Sequence, residues 1–237
     1  MEILIDFARV RRLLAQEYQQ ARTEIGEVGP IAAYERSQQR QDERLASAPD
    51  ANTLACKAGC SWCCHFTIDL RPVEVFRILE HVERTFDAAA QERLRARLAI
   101  NREITAPLDE MQRMQQNVEC AFLDEGRCTI YAARPQTCRN YHATNAAGCQ
   151  KSFEEPENLE IDPDFAPLVY QIGGAHVEAF AKAMRDEGYD VDAYEMNVAL
   201  SAALEQPDAK SRFAAGQKPF TSIEGDEVPD EFSEQDD

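Results

Sequence analysis

The chain has 237 residues, and its 25 lysines and arginines against 43 aspartates and glutamates give a formal net charge of −18. Sequence-independent binding to nucleic acid or to an anionic membrane requires basic surface, so we expect neither partner. No apolar run approaches the roughly 20 residues that cross a bilayer. The first six residues lack the basic start and long apolar stretch of a secretory signal peptide. We therefore expect a cytoplasmic protein.

Two helices are predicted at the start of the chain. Gly29 and Pro30 separate a first, amphipathic helix from a polar helix over residues 31–45. A loop over 47–55 follows and leads into the first group of cysteines. The first helix is indicated by apolar residues that recur every three to four positions, which are Ile3, Phe7, Val10, Leu14 and Tyr18.

A second group of helices is expected over residues 72–117. Pro72 suits a first helical position and leads an apolar stripe that reaches Phe86. Asp87 is a candidate N-cap for the next helix, and Pro107 is expected to open a short one. These helices lie between the two groups of cysteines.

The pattern changes to a small β-hairpin after this helical stretch. Asp124-Glu125-Gly126 is a turn sequence between two short segments of strand character. Arg134-Pro135 is expected to start a short turn or helix that contains Cys138.

The C-terminal part predicts two more helices and a tail. An apolar stripe over residues 165–184 predicts a long helix that Gly188 ends. Asp190 or Asp192 is expected to cap a last helix. Residues 216–237 are acidic and poor in apolar side chains, which predicts disorder.

Eight cysteines are the main chemical feature of the chain. In a reducing compartment, clustered thiols indicate metal or redox chemistry and not disulfides. Four of them lie within nine residues, where thiolates three and four positions apart can converge on one centre. This first set is Cys56, Cys60, Cys63 and Cys64, and a second, looser set is Cys120, Cys128, Cys138 and Cys149.

The spacing leaves alternatives open. A free cysteine is often simply buried, a reading that applies best to the loosely spaced Cys149. Cys63 and Cys64 are adjacent, and neighbouring side chains point apart in extended backbone. That pair therefore favours two metals, or a multi-iron cluster and its edge, over one zinc ion.

The two sets together resemble the YkgJ-type cysteine-cluster family. The resemblance rests on Cys56-x3-Cys60-x2-Cys63-Cys64 and on Cys120-Ala-Phe-Leu-Asp-Glu-Gly-Arg-Cys128, which continues through Arg134-Pro135-Gln-Thr-Cys138-Arg139-Asn-Tyr141. It implies a bacterial metal-binding protein that chelates zinc or iron, and a related domain occurs in flagellin lysine-N-methylase. The chain departs from the family pattern in two places. Three residues separate its first two cysteines where two are also common, and Ala121 stands where proline is frequent.

The first three cysteines also match the cluster loop of radical-SAM enzymes. Those enzymes are similar to one another in a partial or full βα barrel, with the loop after an early strand. Here the loop follows polar, helical sequence, and mostly helices come after it. This context disfavours radical-SAM chemistry.

Charged and ionisable residues beside the cysteines have two interpretations each. His65 and His142 are candidate ligands or proton donors, although a histidine beside a site more often only surrounds it. Lys57, Arg134 and Arg139 offset the negative charge of thiolates in one interpretation. In the other, the arginines form ion pairs at the hairpin and at a helix end.

These observations predict a mainly α-helical single domain, with a small β-hairpin and loops that frame a cysteine-rich metal site. The domain is expected over residues 1–215, with core motifs at 55–150 and a disordered tail at 216–237. We expect the eight cysteines to bind an iron–sulfur cluster or, as a close second, zinc, because soft thiolates dominate the donor set. The expected role is accessory or redox, with a protein partner, and the alternative is an oxidoreductase or protein-modifying enzyme. Neither sequence segment can bury a charged thiolate centre alone, so we expect the two sets to meet in space.

Overall fold

The structure is a computed structural model that describes residues 7–57 and 59–228. Ile3 of the first predicted stripe, and residues 229–237 of the predicted tail, lie outside that part. Helices dominate the described chain, which confirms the mainly α-helical fold class. They are α1 (Phe7–Val28), α2 (Pro30–Ala46), α3 (Pro72–Thr85), α4 (Ala88–Thr105), α5 (Glu110–Met114), α6 (Gln136–Asn140), α7 (Ala146–Glu154), α8 (Pro167–Asp186), α9 (Met196–Glu205) and α10 (Ala209–Ala214).

Short 3-10 turns and strands connect the helices. The turns are Ala51–Thr53, Trp62–His65 and Tyr131–Ala133. The strands form two antiparallel pairs, β1 (Asp69–Leu70) with β4 (Tyr194–Glu195) and β2 (Leu123–Asp124) with β3 (Arg127–Cys128). Glu125 and Gly126, between β2 and β3, have φ angles of 47° and 73°. Two positive φ values in a two-residue loop are typical of the turn that fits the twist of a hairpin, which confirms the predicted hairpin.

The main hydrophobic core lies between the packed helices. α1 packs against α2 and α8, α2 also packs against α3, and α9 packs against α3 and α4. Apolar stripes at helical spacing supply the buried side chains, as the sequence predicts. The largest buried apolar side chains include Tyr34, Leu70, Ile78, Leu98, Phe122, Phe180, Leu200 and Phe213. No helix of the described chain is both long enough and apolar enough to cross a membrane.

A buried polar network joins α1, α2 and α8. Arg40 Nη2 donates to Glu17 Oε1 at 2.7 Å, and Ser37 contributes a hydrogen bond to the same carboxylate. Burial alone would raise the pKa of Glu17, but the hydrogen bond and charge of Arg40 and the charges of His176 and Arg44 lower it. His176 is fully buried, and this burial lowers its pKa to about 4. The network holds the polar helix α2 in the interior without an unpaired carboxylate.

Two predicted helix starts are wrong, and two helices were not predicted. α5 begins after Asp109, whose side chain caps it, and not at Pro107. α9 begins after Glu195, whose carboxylate accepts from Val198 N, and not after Asp190 or Asp192. In both cases a carboxylate closer to the helix satisfies the free N–H groups. The unpredicted helices are α7, which carries Cys149, and α10.

The structure differs from the predicted disordered tail over residues 216–228. Phe220 is only 4% exposed, and its ring contacts those of Tyr194 and Phe76 at centroid distances of 5.0 and 6.1 Å. Asp226 forms an antiparallel bridge with Ala193. The composition is acidic, but one aromatic side chain reaches the core and fixes the backbone around it. For residues 229–237, the disordered tail stays a prediction.

Replacing Phe220 by alanine tests this docking. Loss of a buried phenylalanine costs about 3–5 kcal/mol of unfolding free energy, so we expect a clearly lower midpoint in urea. Phe7→Ala is the matched control, because Phe7 is 63% exposed, and its loss should change stability by less than about 0.5 kcal/mol. Equal small effects of the two substitutions would show that residues 216–228 do not stabilise the body.

Candidate metal centre

Two backbone hydrogen bonds bring the two sequence sets of cysteines together. Cys120 N donates to Cys64 O at 2.8 Å, and Val118 N donates to His65 O at 2.8 Å. The segment over 118–120 therefore runs directly beside the end of the first cysteine loop. The helices over 72–117 return the chain to this point, which confirms the expectation that the two sets meet.

Helix α4 fixes the second segment from the other side. Arg97 Nη1 donates to Leu123 O at 2.6 Å, and Arg97 Nη2 donates to Cys120 O at 3.1 Å. Asn101 adds a bond to Glu119 O. Because these bonds go to backbone carbonyls, α4 sets the path of the chain around Cys120 and leaves its thiol free.

The first loop turns tightly around its cysteines. Gly59 has a φ of +88°, a conformation that favours glycine, and Cys60 N closes the turn on Lys57 O at 3.0 Å. Cys63 and Cys64 follow on the 3-10 turn Trp62–His65. The backbone there is helical and not extended, so the expectation that adjacent side chains point apart is wrong.

The thiols of Cys63 and Cys64 instead share a hydrogen bond. This bond is the main cause of opposite pKa changes: the pKa of Cys63 is raised, and that of Cys64 is lowered to about 7. Cys64 therefore ionises first, and its thiolate makes loss of the second proton harder.

Cys120, Cys128 and Cys138 are electrostatic neighbours of Cys64. Cys128 lies opposite Leu123 in the hairpin, and Leu123 N bonds back to Cys120 O at 2.9 Å. Burial is the main cause that raises the pKa of each of these three thiols, to about 12 for Cys120. The neighbouring Cys64 sulfur raises each pKa further. The four sulfur atoms are thus mutual electrostatic neighbours.

Three residues position α6 and with it Cys138. Glu74 Oε1 accepts a bond from Gln136 N at 2.9 Å, and Gln41 Nε2 donates to Asn140 Oδ1 at 2.9 Å. Gly173 on α8 allows Asn140 to approach, because a Cβ at that position would overlap its side chain. Sequence reasoning missed all of these supports, since none of them lies near a cysteine in the chain.

Cys149 lies with the first set and not with the second. Asn145 caps α7, and α7 packs against the turn Trp62–His65. The Cys149 thiol is buried, which raises its pKa, and Cys56 and Cys60 are its main charged neighbours. The sequence grouping of Cys149 therefore differs from its grouping in space.

Residues 141–143 complete the surroundings of Cys56. Ala143 N donates to Cys56 Sγ at 3.3 Å, and Ala55 N donates to Ala143 O at 2.8 Å. The Tyr141 phenol is half-buried, which raises its pKa. The nearby Cys149 and Cys63 sulfurs raise this pKa further. Tyr141 also packs edge-on against Phe66.

The thiols lie deep in the protein yet remain accessible. Burial raises the pKa of Cys120 and Cys138, but Cys120 is only half-buried and Cys138 is exposed. Cys56 is also exposed. Cys56, Cys120 and Cys138 therefore mark the side from which the cysteine site can be reached.

The arginines beside the site have both of their predicted roles. Arg139 is 1% exposed and pairs through Nη1 with Asp42 on α2. Its other nitrogens donate to Ala132 O at 2.7 Å and to Arg134 O at 3.0 Å. Arg139 and Arg134 also lower the pKa of Cys128, against the larger effect of burial. They anchor the segment and partly offset thiolate charge.

The two histidines beside the cysteines have different surroundings. His65 contacts Ser61 O through Nδ1 at 3.2 Å, and its ring packs on Phe153 at 4.7 Å. Burial lowers the pKa of His142, and its Nε2 atom is buried with no hydrogen-bond partner. Neither ring is among the main electrostatic neighbours of the cysteines.

The donor set fits a thiophilic metal or cluster. Among residues 7–57 and 59–228, no three His, Cys, Asp or Glu side chains are already arranged around one point as ligands. The two cysteine sets nevertheless supply eight sulfur donors, and soft thiolate ligands select zinc and iron–sulfur clusters. Burying such thiolates without a metal is costly, as the raised pKa values of Cys120 and Cys138 show.

Residues 55–161 match the model of the CxxCxxCC family, which is described as a "putative zinc- or iron-chelating domain". This part of the chain is similar to that family and contains all eight cysteines. Neither the curated proteins nor the solved structures gave a match to the chain. The match confirms the family resemblance and supports metal binding, while the described helical fold contains no βα barrel of the radical-SAM kind.

Thiol reactivity of the metal-free protein tests the coupling between Cys63 and Cys64. A lowered pKa keeps Cys64 ionised above a pH of about 7, so its alkylation rate should rise as the pH passes that value. Cys120, with a pKa of about 12, should stay unreactive across the same range. Alkylation of each cysteine is measured by peptide mass spectrometry.

Cys63→Ala should raise the pKa of Cys64 towards that of an ordinary thiol, because the shared hydrogen bond is lost. Cys60→Ala is the matched control and should leave the Cys64 profile unchanged. An ordinary thiol profile for Cys64 in the wild type would contradict the coupling.

Proposed function

We propose that the protein binds metal through its eight cysteines, holds an iron–sulfur cluster in preference to zinc, and has a redox or accessory role. The observation that carries this proposal is the bond from Cys120 N to Cys64 O. It joins two sequence segments whose only shared chemistry is the thiol group. The candidate ligands are Cys56, Cys60, Cys63, Cys64, Cys120, Cys128, Cys138 and Cys149.

The surroundings of the thiols favour iron–sulfur over zinc. Cysteine thiolates are the usual ligands of such clusters, and cysteines make up the whole set of candidate ligands. Arg134 and Arg139 act on Cys128, and nearby positive charge offsets an anionic cluster and raises its reduction potential. When bound, the cluster would supply one-electron chemistry.

The position of the site favours exchange with a partner protein. Cys56 and Cys138 are exposed, so a centre that they bind would lie near the surface. A redox or accessory protein needs such access, because its partner must approach the cluster. The same exposure makes the centre sensitive to oxygen and chelators.

Anaerobic purification tests the identity of the metal. We expect iron and acid-labile sulfide by elemental analysis, with broad visible absorption that bleaches on reduction. Colourless protein with stoichiometric zinc would contradict the iron–sulfur assignment and leave metal binding intact. Protein without any tightly bound metal, even after reconstitution, would contradict the proposed function as a whole.

Cys120→Ser should reduce the metal content and lower the melting temperature. Binding of a structural metal contributes directly to folding, with apparent free energies of about 10–16 kcal/mol in small zinc domains. Ser61→Ala is the control, since Ser61 contacts its neighbours in the loop through its carbonyl oxygen. Both quantities are measured on the purified proteins, and unchanged metal content in Cys120→Ser would remove Cys120 from the ligand set.

A further inference from the structure

Two residues outside the part of the chain that matches the family hold segments that carry cysteines. Asp50 precedes the first cysteine loop and Gly173 lies in α8, so neither is within residues 55–161. We propose that the first two turns of α8 position Cys56 and Cys138 for metal binding, with Asp50 and Gly173 as the positioning residues. This inference rests on the proposed metal-binding function and names what fixes two of its candidate ligands.

The first turn of α8 has no cap of its own. Pro167 at its first position has no N–H group, and Ala166 before it has no side chain that accepts a hydrogen bond. Asp50 supplies the acceptor from far away in the sequence. Its Oδ2 atom accepts from Leu168 N at 2.8 Å, and its Oδ1 atom accepts from Val169 N at 3.1 Å. These two bonds fix the loop before the first cysteines to the start of α8.

The chain that follows Asp50 packs on the same turn of α8. Ala51 and Leu54 contact a small apolar cluster to which α8 contributes Val169. Cys56 comes two positions after Leu54. Very little chain therefore separates this cysteine from the contact, and its position depends on where α8 begins.

The nearest backbone neighbour of Cys56 is attached to the start of α8 as well. Ala143 N donates to Cys56 Sγ at 3.3 Å, and Ala143 forms an antiparallel bridge with Phe165, two residues before α8 begins. Thr144 N adds a hydrogen bond to Asp164 O at 2.8 Å. The same end of α8 therefore holds Cys56 from two directions.

Gly173 receives the end of α6, the short helix that carries Cys138. α6 packs against α8, and a Cβ atom at Gly173 would overlap Asn140 Oδ1 and lie 2.7 Å from Asn140 Cγ. The Asn140 side chain thus fills the space that any larger residue would need. It is held there because Gln41 Nε2 donates to its Oδ1 atom at 2.9 Å. Asn140 is two positions from Cys138, so this contact sets the position of that cysteine.

The two attachment points are close together on one rigid element. Val169 and Gly173 are four residues apart in α8, which is about 6 Å along a helix axis. Metal ligands must be held within about 0.5 Å of their productive positions, and the loops that carry Cys56 and Cys138 are too short and irregular to achieve this alone. α8 therefore sets the spacing between the two segments.

Alanine at Gly173 tests this role against alanine at Gly174. A Cβ at Gly173 meets the Asn140 side chain, whereas a Cβ at Gly174 meets no atom within 4 Å. Both substitutions replace a glycine inside the same helix, so they change helix propensity alike. The full chain of each variant is loaded with cobalt(II), whose thiolate charge-transfer absorption reports the cysteines bound to it. The affinity is measured by competition with a chelator.

Gly173→Ala should weaken cobalt(II) binding about tenfold and reduce the charge-transfer absorption per bound ion, because Cys138 is displaced. Gly174→Ala should match wild type in both quantities. In the metal-free protein, amide hydrogen exchange over residues 136–140 should be faster in Gly173→Ala only. Removing the obstructing side chain should rescue the site: Gly173→Ala combined with Asn140→Ala should bind within about threefold of Asn140→Ala alone.

A second pair of variants separates positioning from stability and does not depend on the folding of Gly173→Ala. Asp87 caps α4 by accepting from Ala90 N at 2.7 Å, so Asp50→Ala and Asp87→Ala each remove a carboxylate that caps a helix. Both should lower the free energy of unfolding in urea by similar amounts. Only Asp50→Ala should also weaken cobalt(II) binding, by about tenfold.

The results separate this inference from the proposed function. Wild type that binds neither cobalt(II) nor, after reconstitution, iron and sulfide contradicts both. Wild type that binds metal, with equal affinities in Gly173→Ala and Gly174→Ala or in Asp50→Ala and Asp87→Ala, overturns this inference alone. Faster exchange in α6 with unchanged cobalt(II) affinity also overturns it, since Gly173 would then support α6 without positioning Cys138.

Discussion

The backbone hydrogen bonds from Val118 and Cys120 to His65 and Cys64 are the constraint on which the cysteine site depends. Without them, the first loop would present four thiols to solvent, and the hairpin would present its own thiols elsewhere. With them, two short segments far apart in sequence lie side by side. Both segments are short and irregular, so their own packing is too small to fix this arrangement.

Helices provide the rigidity that the loops lack. α3 and α4 reach the site through Glu74 and Arg97, which bind backbone groups of Gln136 and Cys120. α2 reaches it through Asp42, which pairs with the buried Arg139. α2 can do this with a polar surface because a second polar network holds its other side against α1 and α8. The hydrophobic core therefore acts on the site indirectly, by fixing the helices that hold the loops.

The sequence predicted the parts of the fold that depend on local pattern. Apolar spacing identified α1, α3 and α8, Asp87 identified the start of α4, and the turn at Glu125-Gly126 identified the hairpin. The spacing of the eight cysteines likewise indicated a metal site and the resemblance to the family.

The remaining features depend on contacts between distant residues. α7 is short and weakly apolar, so the position of Cys149 beside Cys56 and Cys60 had no local signal. Phe220 looked like an isolated aromatic residue in an acidic segment, and only its contact with Tyr194 shows that it belongs to the core. The conformation of Cys63-Cys64 followed from the 3-10 turn and not from adjacency.

Anomalous X-ray diffraction from crystals of the metal-loaded protein tests the central claim most directly, because it locates metal and sulfur atoms independently of any variant. The account predicts metal bonded to cysteine sulfurs from both sequence segments, with bonds of about 2.3 Å. Protein that holds no metal, or metal whose ligands come from only one of the two segments, would contradict it.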